Sequence, residues 1–93
     1  MFAMKISVEI SMYPLDANFI PPILAFIERL NGYDQVKVKT NSMSTQVFGE
    51  YDSVMAAING AMRATFAEVP KVSMVMKFIN TDLDYDYEPT ENK

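Results

Sequence analysis

Few side chains in this sequence can do more than pack, and they fall into two groups. The densest uncharged polar stretch is Thr40-Asn41-Ser42-Met43-Ser44-Thr45. Its hydroxyls and amide can satisfy their own backbone as a turn. They can equally present fixed donors and acceptors to a small ligand, since loops at strand ends are natural binding positions. The second group centres on Glu9, which stands between Val8 and Ile10 in an alternating run. A carboxylate in mid-strand must be paired, solvated or used. Lys77, in the last apolar run, is the cross-strand partner for it; the competing reading reserves the carboxylate for a cationic ligand.

The residue types that are missing narrow the chemistry further. There is no cysteine and no histidine. Disulfides, thiolate nucleophiles and zinc-finger metal sites are excluded, and the commonest acid/base group near neutral pH is absent. The 8 methionines fall mainly on core-facing positions and imply no soft-metal site. With only 3 glycines, at Gly32, Gly49 and Gly60, no phosphate-cradling loop exists. Lys37 and Lys39 sit on an expected edge strand, where charge discourages aggregation, with phosphate binding as the other reading. A net charge of −4, from 12 acidic and 8 basic residues without a basic cluster, argues against a nucleic-acid partner. No long apolar stretch marks a membrane span or a cleaved leader, so the expected location is cytoplasmic. Either Met1 or Met4 can serve as the start.

These groups need elements to position them. From Lys5 to Tyr13, Ile6, Val8, Ile10 and Met12 alternate with Ser7, Glu9 and Ser11, the pattern of a half-buried strand. Pro14 and Asp16 end it. Ile20, Ile23, Leu24, Ile27 and Leu30 then recur at helical spacing, with Pro21 and Pro22 confined to the first turn, Asn18 as the expected cap and Gly32 as the stop. Gln35 to Thr40 and Thr45 to Glu50 read as a hairpin of strands. A second helix, capped by Asp52 or Ser53, carries Met55, Ile58, Met62, Thr65, Phe66 and Val69 inward up to Pro70, with Gly60 there for close packing. Val72 to Ile79 is the last strand.

This β-α-β-β-α-β order is that of an α+β, ferredoxin-like domain: a four-stranded antiparallel sheet with two helices on one face. Its other face would carry Ser7, Glu9, Ser11, Phe48, Val75, Lys77 and Ile79, a mixture that suggests a second copy packs there. The expected organisation is one ligand-binding domain over residues 1–80 and an acidic, solvated tail over 81–93, with an edge-strand or docking segment as the other reading of the tail. At 93 residues, 49% hydrophobic and 22% charged, the chain suits a single small globular domain that self-association would help.

Two segments carry a family resemblance: Ile6-Ser7-Val8-Glu9-Ile10-Ser11-Met12-Tyr13-Pro14-Leu15, and Met43-Ser44-Thr45-Gln46-Val47-Phe48-Gly49-Glu50. Together with Lys77 in the closing strand they resemble the YkoF-like thiamine-binding family over roughly residues 4 to 80. The family's glycine after the proline is replaced here by Leu15-Asp16, which alters the first turn. The resemblance implies a domain that assembles through its sheets into dimers or tetramers. It also implies binding of thiamine or hydroxymethylpyrimidine without transforming it, with no cofactor. Ser44, Thr45 and Ser11 match the family's polar positions. The candidate ligand-binding residues are therefore Glu9, Ser11, Tyr13, Asn41, Ser42, Met43, Ser44 and Thr45. An aminopyrimidine needs a few fixed donors and acceptors with flat or soft apolar contact, and a thiazolium cation favours a carboxylate or an aromatic face.

Two other classes stay open. A cofactor-free enzyme of the dimeric ferredoxin-like type, a monooxygenase or isomerase, would use Tyr13, Glu9 or Lys77 as acid/base groups, and a pocket without a strongly perturbed titratable group would count against it. A structural or regulatory oligomer would show tightly met sheet faces and no cavity.

Overall fold

A computed structural model of the protein describes residues 3–85. The elements are β1 (Lys5–Pro14), α1 (Ile20–Asn31), β2 (Val36–Thr40), β3 (Thr45–Glu50), α2 (Tyr51–Glu68) and β4 (Val72–Ile79). The strands form one antiparallel sheet in the order β2-β3-β1-β4, so the first strand is central and the hairpin strand β2 and the last strand β4 are edges. This is the expected βαββαβ, ferredoxin-like plan.

Strand alternation sorts the residues as the pattern predicts. Ile6, Val8 and Ile10 of β1 and Val47 of β3 turn to the helices and are buried. Ser7 lies opposite Phe48 and Ile79, and Glu9 opposite Gln46 and Lys77, on the other face. Phe78 shares Val8's side by register but stays exposed, because it stands on an edge strand.

The helices depart from expectation in their inward faces and in their caps. In α1 the buried residues are Phe26 and Leu30, while Ile20 and Leu24 are exposed. The inward stripe is Ile23, Phe26, Ile27 and Leu30, a rotation of the expected one. In α2, Val54, Ala57, Ile58, Ala61 and Thr65 are buried and Phe66 is exposed. Ala57 and Ala61 share this packing face with Val54 and Ile58. Asn18 does not cap α1: Phe19 occupies the cap without a side-chain bond, and Asn18 N–H instead donates to Asp16 Oδ1 at 2.8 Å. Two prolines at the start remove donors that a cap would serve, so none is needed. Nor do Asp52 or Ser53 cap α2. Strand β3 runs directly into the helix, and Glu50 takes the cap by accepting from Asp52 N–H at 3.0 Å.

Two glycines meet close neighbours. A Cβ on Gly60 would lie 2.0 Å from the Tyr33 hydroxyl, so its expected role in close packing holds. Gly49 has φ +157° and would push a Cβ to 3.2 Å from the Gln35 carbonyl and 3.3 Å from Val54.

The acidic segment after β4 is not simply solvated. Ser7 Oγ donates to the Thr81 carbonyl at 2.7 Å and accepts from Leu83 N–H at 2.8 Å. Asp84 forms ion pairs with Lys37 at 3.3 Å and Lys39 at 3.0 Å. Residues 81–84 thus lie as a strap from β1 towards β2 over the helix-free face, held by the Ser7 hydrogen bonds at one end and the Asp84 ion pairs at the other. Lys39 Nζ also stands 5.7 Å above the Phe48 ring. Ser7 and Phe48 are buried in consequence, although no helix covers them. The expected tail continues over 86–93, and the alternative start at Met1 involves residues 1–2; both lie outside the described residues.

Candidate functional site

The polar stretch between β2 and β3 is a tight loop. Asn41 Oδ1 accepts from Met43 N–H at 2.8 Å and Ser44 N–H at 3.0 Å, and Asn41 N–H donates to the Ser44 carbonyl at 3.1 Å. The turn reading is therefore realised. It does not exhaust the loop, which forms one wall of a cleft of about 320 Å³. The opposite walls come from the end of β1 and the first two turns of α1. Ile10, Met12, Tyr13 and Pro14 line it on one side and Phe19, Ile23, Phe26 and Ile27 on the other. Thr40, Asn41, Ser42, Met43, Ser44 and Thr45 complete it. The volume lies at the lower end of the range for small-molecule pockets, about 300 to 1,000 Å³.

The cleft's chemistry is distinctive in one respect: none of its lining residues carries a charge. Its polar groups are hydroxyls and an amide, concentrated on the loop. Thr45 is buried, and its Oγ1 lies 3.3 Å from Thr40 Oγ1, so the two hydroxyls form a pair on the cleft side of the sheet. Met43, 83% exposed, stands at the rim as a soft apolar group.

The expected site residues divide between the two faces. Tyr13, Asn41, Ser42, Met43, Ser44 and Thr45 meet at the cleft. Glu9 and Ser11 do not; by strand alternation they belong to the opposite face, with Ser11 opposite Val75. There Glu9 pairs with Lys77 Nζ at 3.3 Å and accepts from Ser44 Oγ at 2.9 Å, while Gln46 Nε2 donates to Ser44 Oγ at 2.8 Å. The cross-strand pairing reading of Glu9 is the one the geometry realises. The Ser44 hydrogen bond, followed by Lys77, holds the Glu9 carboxyl below the usual carboxylate range.

A second, shallower cleft of about 300 Å³ opens on this face, between Glu9, Lys39, Gln46 and Phe48 below and Leu83 and Tyr85 of the strap above. Residue-type reasoning missed Gln46, although its register opposite Glu9 places it there. It also missed the aromatic wall from α1. The topology could have supplied that signal, because a helix that follows β1 directly must start beside the end of that strand.

Among the described residues no group of three or more acidic side chains could hold a metal ion, and no helix is long and apolar enough to cross a membrane.

Comparison with known proteins agrees with this architecture. A hypothetical protein from Methanocaldococcus jannascii is 30% identical, with a TM-score of 0.71 over 96% of this chain and 90% of that one. A candidate thiamine biosynthesis/salvage protein from Thermotoga maritima is 18% identical, with a TM-score of 0.71 over 80% of this chain and 81% of that one. A protein from Streptococcus pneumoniae is 22% identical, with a TM-score of 0.68 over 86% and 90% of the two chains. At the lower identities the likeness concerns the fold. No curated protein sequence matches. The sequence profile of the family described as thiamine-binding protein, however, matches residues 8–92, a span that holds every residue lining the cleft. This chain belongs to the thiamine-binding protein family.

Proposed function

We propose that this protein binds thiamine, or its hydroxymethylpyrimidine part, in the cleft between β1, α1 and the β2–β3 loop, and releases it unchanged. The observation that carries the reading is the cleft itself: aromatic and aliphatic walls facing a cluster of hydroxyls and an amide, with no charged lining residue. A neutral, flat heterocycle with ring nitrogens and an exocyclic amine matches that composition. Thr45 and Thr40 offer hydroxyls that can donate or accept, and the Asn41 amide hydrogens add donors. The thiazolium ring of thiamine then sits at the mouth, where the half-exposed Tyr13 and Phe19 supply aromatic faces for a cation. Phosphorylated forms gain nothing from a cleft without lysine or arginine.

Binding without transformation rests on what Glu9 has become. A carboxylate held below its usual pKa by Ser44 and Lys77 is a weaker base, and it faces away from the cleft. The similarity of fold to a candidate thiamine biosynthesis/salvage protein agrees with this reading. We further propose that the protein self-associates through its helix-free sheet face. The strap covers the Ser7 and Phe48 end of that face, and Val75, 57% exposed, leaves an apolar group open towards its other end.

Titration calorimetry with thiamine and hydroxymethylpyrimidine tests the ligand. Binding of either is expected, and no heat at millimolar ligand with folded protein overturns the reading. Thr45→Val keeps the shape of a buried side chain but removes its hydroxyl. It should weaken binding about tenfold, the value of one hydrogen bond of about 1.4 kcal/mol.

A further inference from the structure

We propose that Glu9 is a positioning residue for the cleft, acting through Ser44 from the opposite face of the sheet. The inference rests on the cleft being a ligand site. Its geometric basis is the change of direction at the start of β3. Strand alternation sends Thr45 towards the helices and Ser44 and Gln46 towards the helix-free face, so adjacent residues serve different sides of the sheet.

Ser44 is the one residue of the loop that is tied at every polar atom. Its N–H donates to Asn41 Oδ1 at 3.0 Å and its carbonyl accepts from Asn41 N–H at 3.1 Å, which closes the turn on the cleft side. Its hydroxyl has a single proton, donated to Glu9 Oε2 at 2.9 Å, and its oxygen accepts from Gln46 Nε2 at 2.8 Å. The other oxygen of Glu9 faces Lys77 Nζ at 3.3 Å, which orients the carboxylate from β4. The Ser44 side chain is thus committed to the far face and is not the hydroxyl that meets a ligand. What it does instead is fix the backbone from which Thr45 departs. A ligand hydrogen bond depends on the placement of its donor to a fraction of an ångström, so a group that anchors the preceding residue sets the strength of that bond without touching the ligand.

This assignment separates from two others. If Glu9 touched the ligand, its removal would weaken binding whether or not Ser44 could reach it. If the Glu9–Lys77 pair served only as a surface ion pair, it would contribute little to anything, since solvent screening weakens the attraction within such pairs.

The experiment is a double-mutant cycle in the full chain, read by calorimetry with hydroxymethylpyrimidine. Glu9→Ala and Ser44→Ala should each weaken binding by about three- to tenfold, in keeping with the loss of one hydrogen bond. The double variant should lose no more than either alone. Glu9→Gln keeps an oxygen that can accept from Ser44 and should bind within about twofold of the native chain. Amide exchange at Ser44 should quicken in Glu9→Ala and return towards the native rate in Glu9→Gln. Losses that multiply in the double variant, or native affinity in Ser44→Ala, overturn the proposal. Should Glu9→Ala fail to fold, Ser44→Ala and Glu9→Gln still decide it. If the native chain binds neither ligand, the ligand reading fails, while unchanged exchange at Ser44 in Glu9→Ala would independently sink the linkage.

Discussion

The two faces of this sheet are built from alternate residues of the same strands, yet they are held by different physics. The helix side is apolar where the layers meet: Ile6, Val8, Ile10 and Val47 pack under Phe26, Leu30, Val54, Ala57 and Ala61, and the cleft is a notch at its edge. The far side is organised by charge, through Glu9 with Lys77 and Asp84 with Lys37 and Lys39. Apolar burial fixes position strongly and without direction. Exposed ion pairs specify partners but hold them weakly. The division places an uncharged cleft on one side and a strap held largely by ion pairs on the other.

Truncation of side chains on the two faces should expose this contrast most sharply. Ile10→Ala, at a residue 2% exposed that also lines the cleft, should cost about 2 to 5 kcal/mol by chemical denaturation. Val75→Ala on the far face should cost within about 0.5 kcal/mol at protein concentrations low enough to keep chains single. A cost for Val75→Ala that grows with protein concentration would measure the proposed self-association. Equal costs for the two at high dilution would mean that the far face is covered by something other than a second copy.

Gly49→Ala comes next. It forces a side chain into a positive-φ position against the Gln35 carbonyl, and a loss of about 1 to 3 kcal/mol is expected in the same assay. The strain falls where β3 pairs with Val36, so β2 should fray first, visible as faster amide exchange in Val36 to Thr40.

Acid should act mainly on the charged face, with a smaller effect. The carboxyls of Glu9 and Asp84 are both lowered, the first chiefly by the Ser44 hydrogen bond and the second chiefly by Lys39. A group whose folded pKa is depressed contributes stability that is fully present above its unfolded value, about 4, and is lost as pH falls through the lower folded value. The native chain should therefore lose this contribution below about pH 4. Asp84→Asn should lack its share at neutral pH and converge with the native chain in strong acid. Identical acid-unfolding curves for the two would show that the strap adds nothing to stability. Added salt should shrink the difference at neutral pH, because the pairs are exposed to screening.

The contrast also accounts for what could be read in advance. The strand order, the alternation in β1 and the Glu9–Lys77 pairing follow from period and register, because a two-residue repeat leaves no freedom about which side a residue faces. The same rule separates Glu9 and Ser11 from Thr45, although residue chemistry alone groups them into one site. The helix faces were less legible. Leu24 and Phe66 look like core residues by type, but small Ala57 and Ala61 let the layers approach and leave the larger groups outside. The strap was the least legible element. Its acidic run does alternate with Leu83 and Tyr85, but the lysines that receive it lie more than forty positions earlier in the chain, where they read as protection for an edge strand.

The Ser7 hydroxyl, bonded at once to Thr81 and Leu83, has a consequence for the order of folding. It joins the fourth residue before Ser11 in the first strand to the last described stretch of chain, a separation of 74 to 76 positions. Because β1 is central and needs β4 as its outer neighbour, the middle of the sheet stays incomplete on the ribosome until Val72–Ile79 has emerged. Closing so distant a contact is slow relative to local structure. Chains stalled before Val72 should therefore remain sensitive to protease during synthesis, and protection should arrive abruptly once β4 and the strap are released, a single late step measurable by arrest at defined lengths.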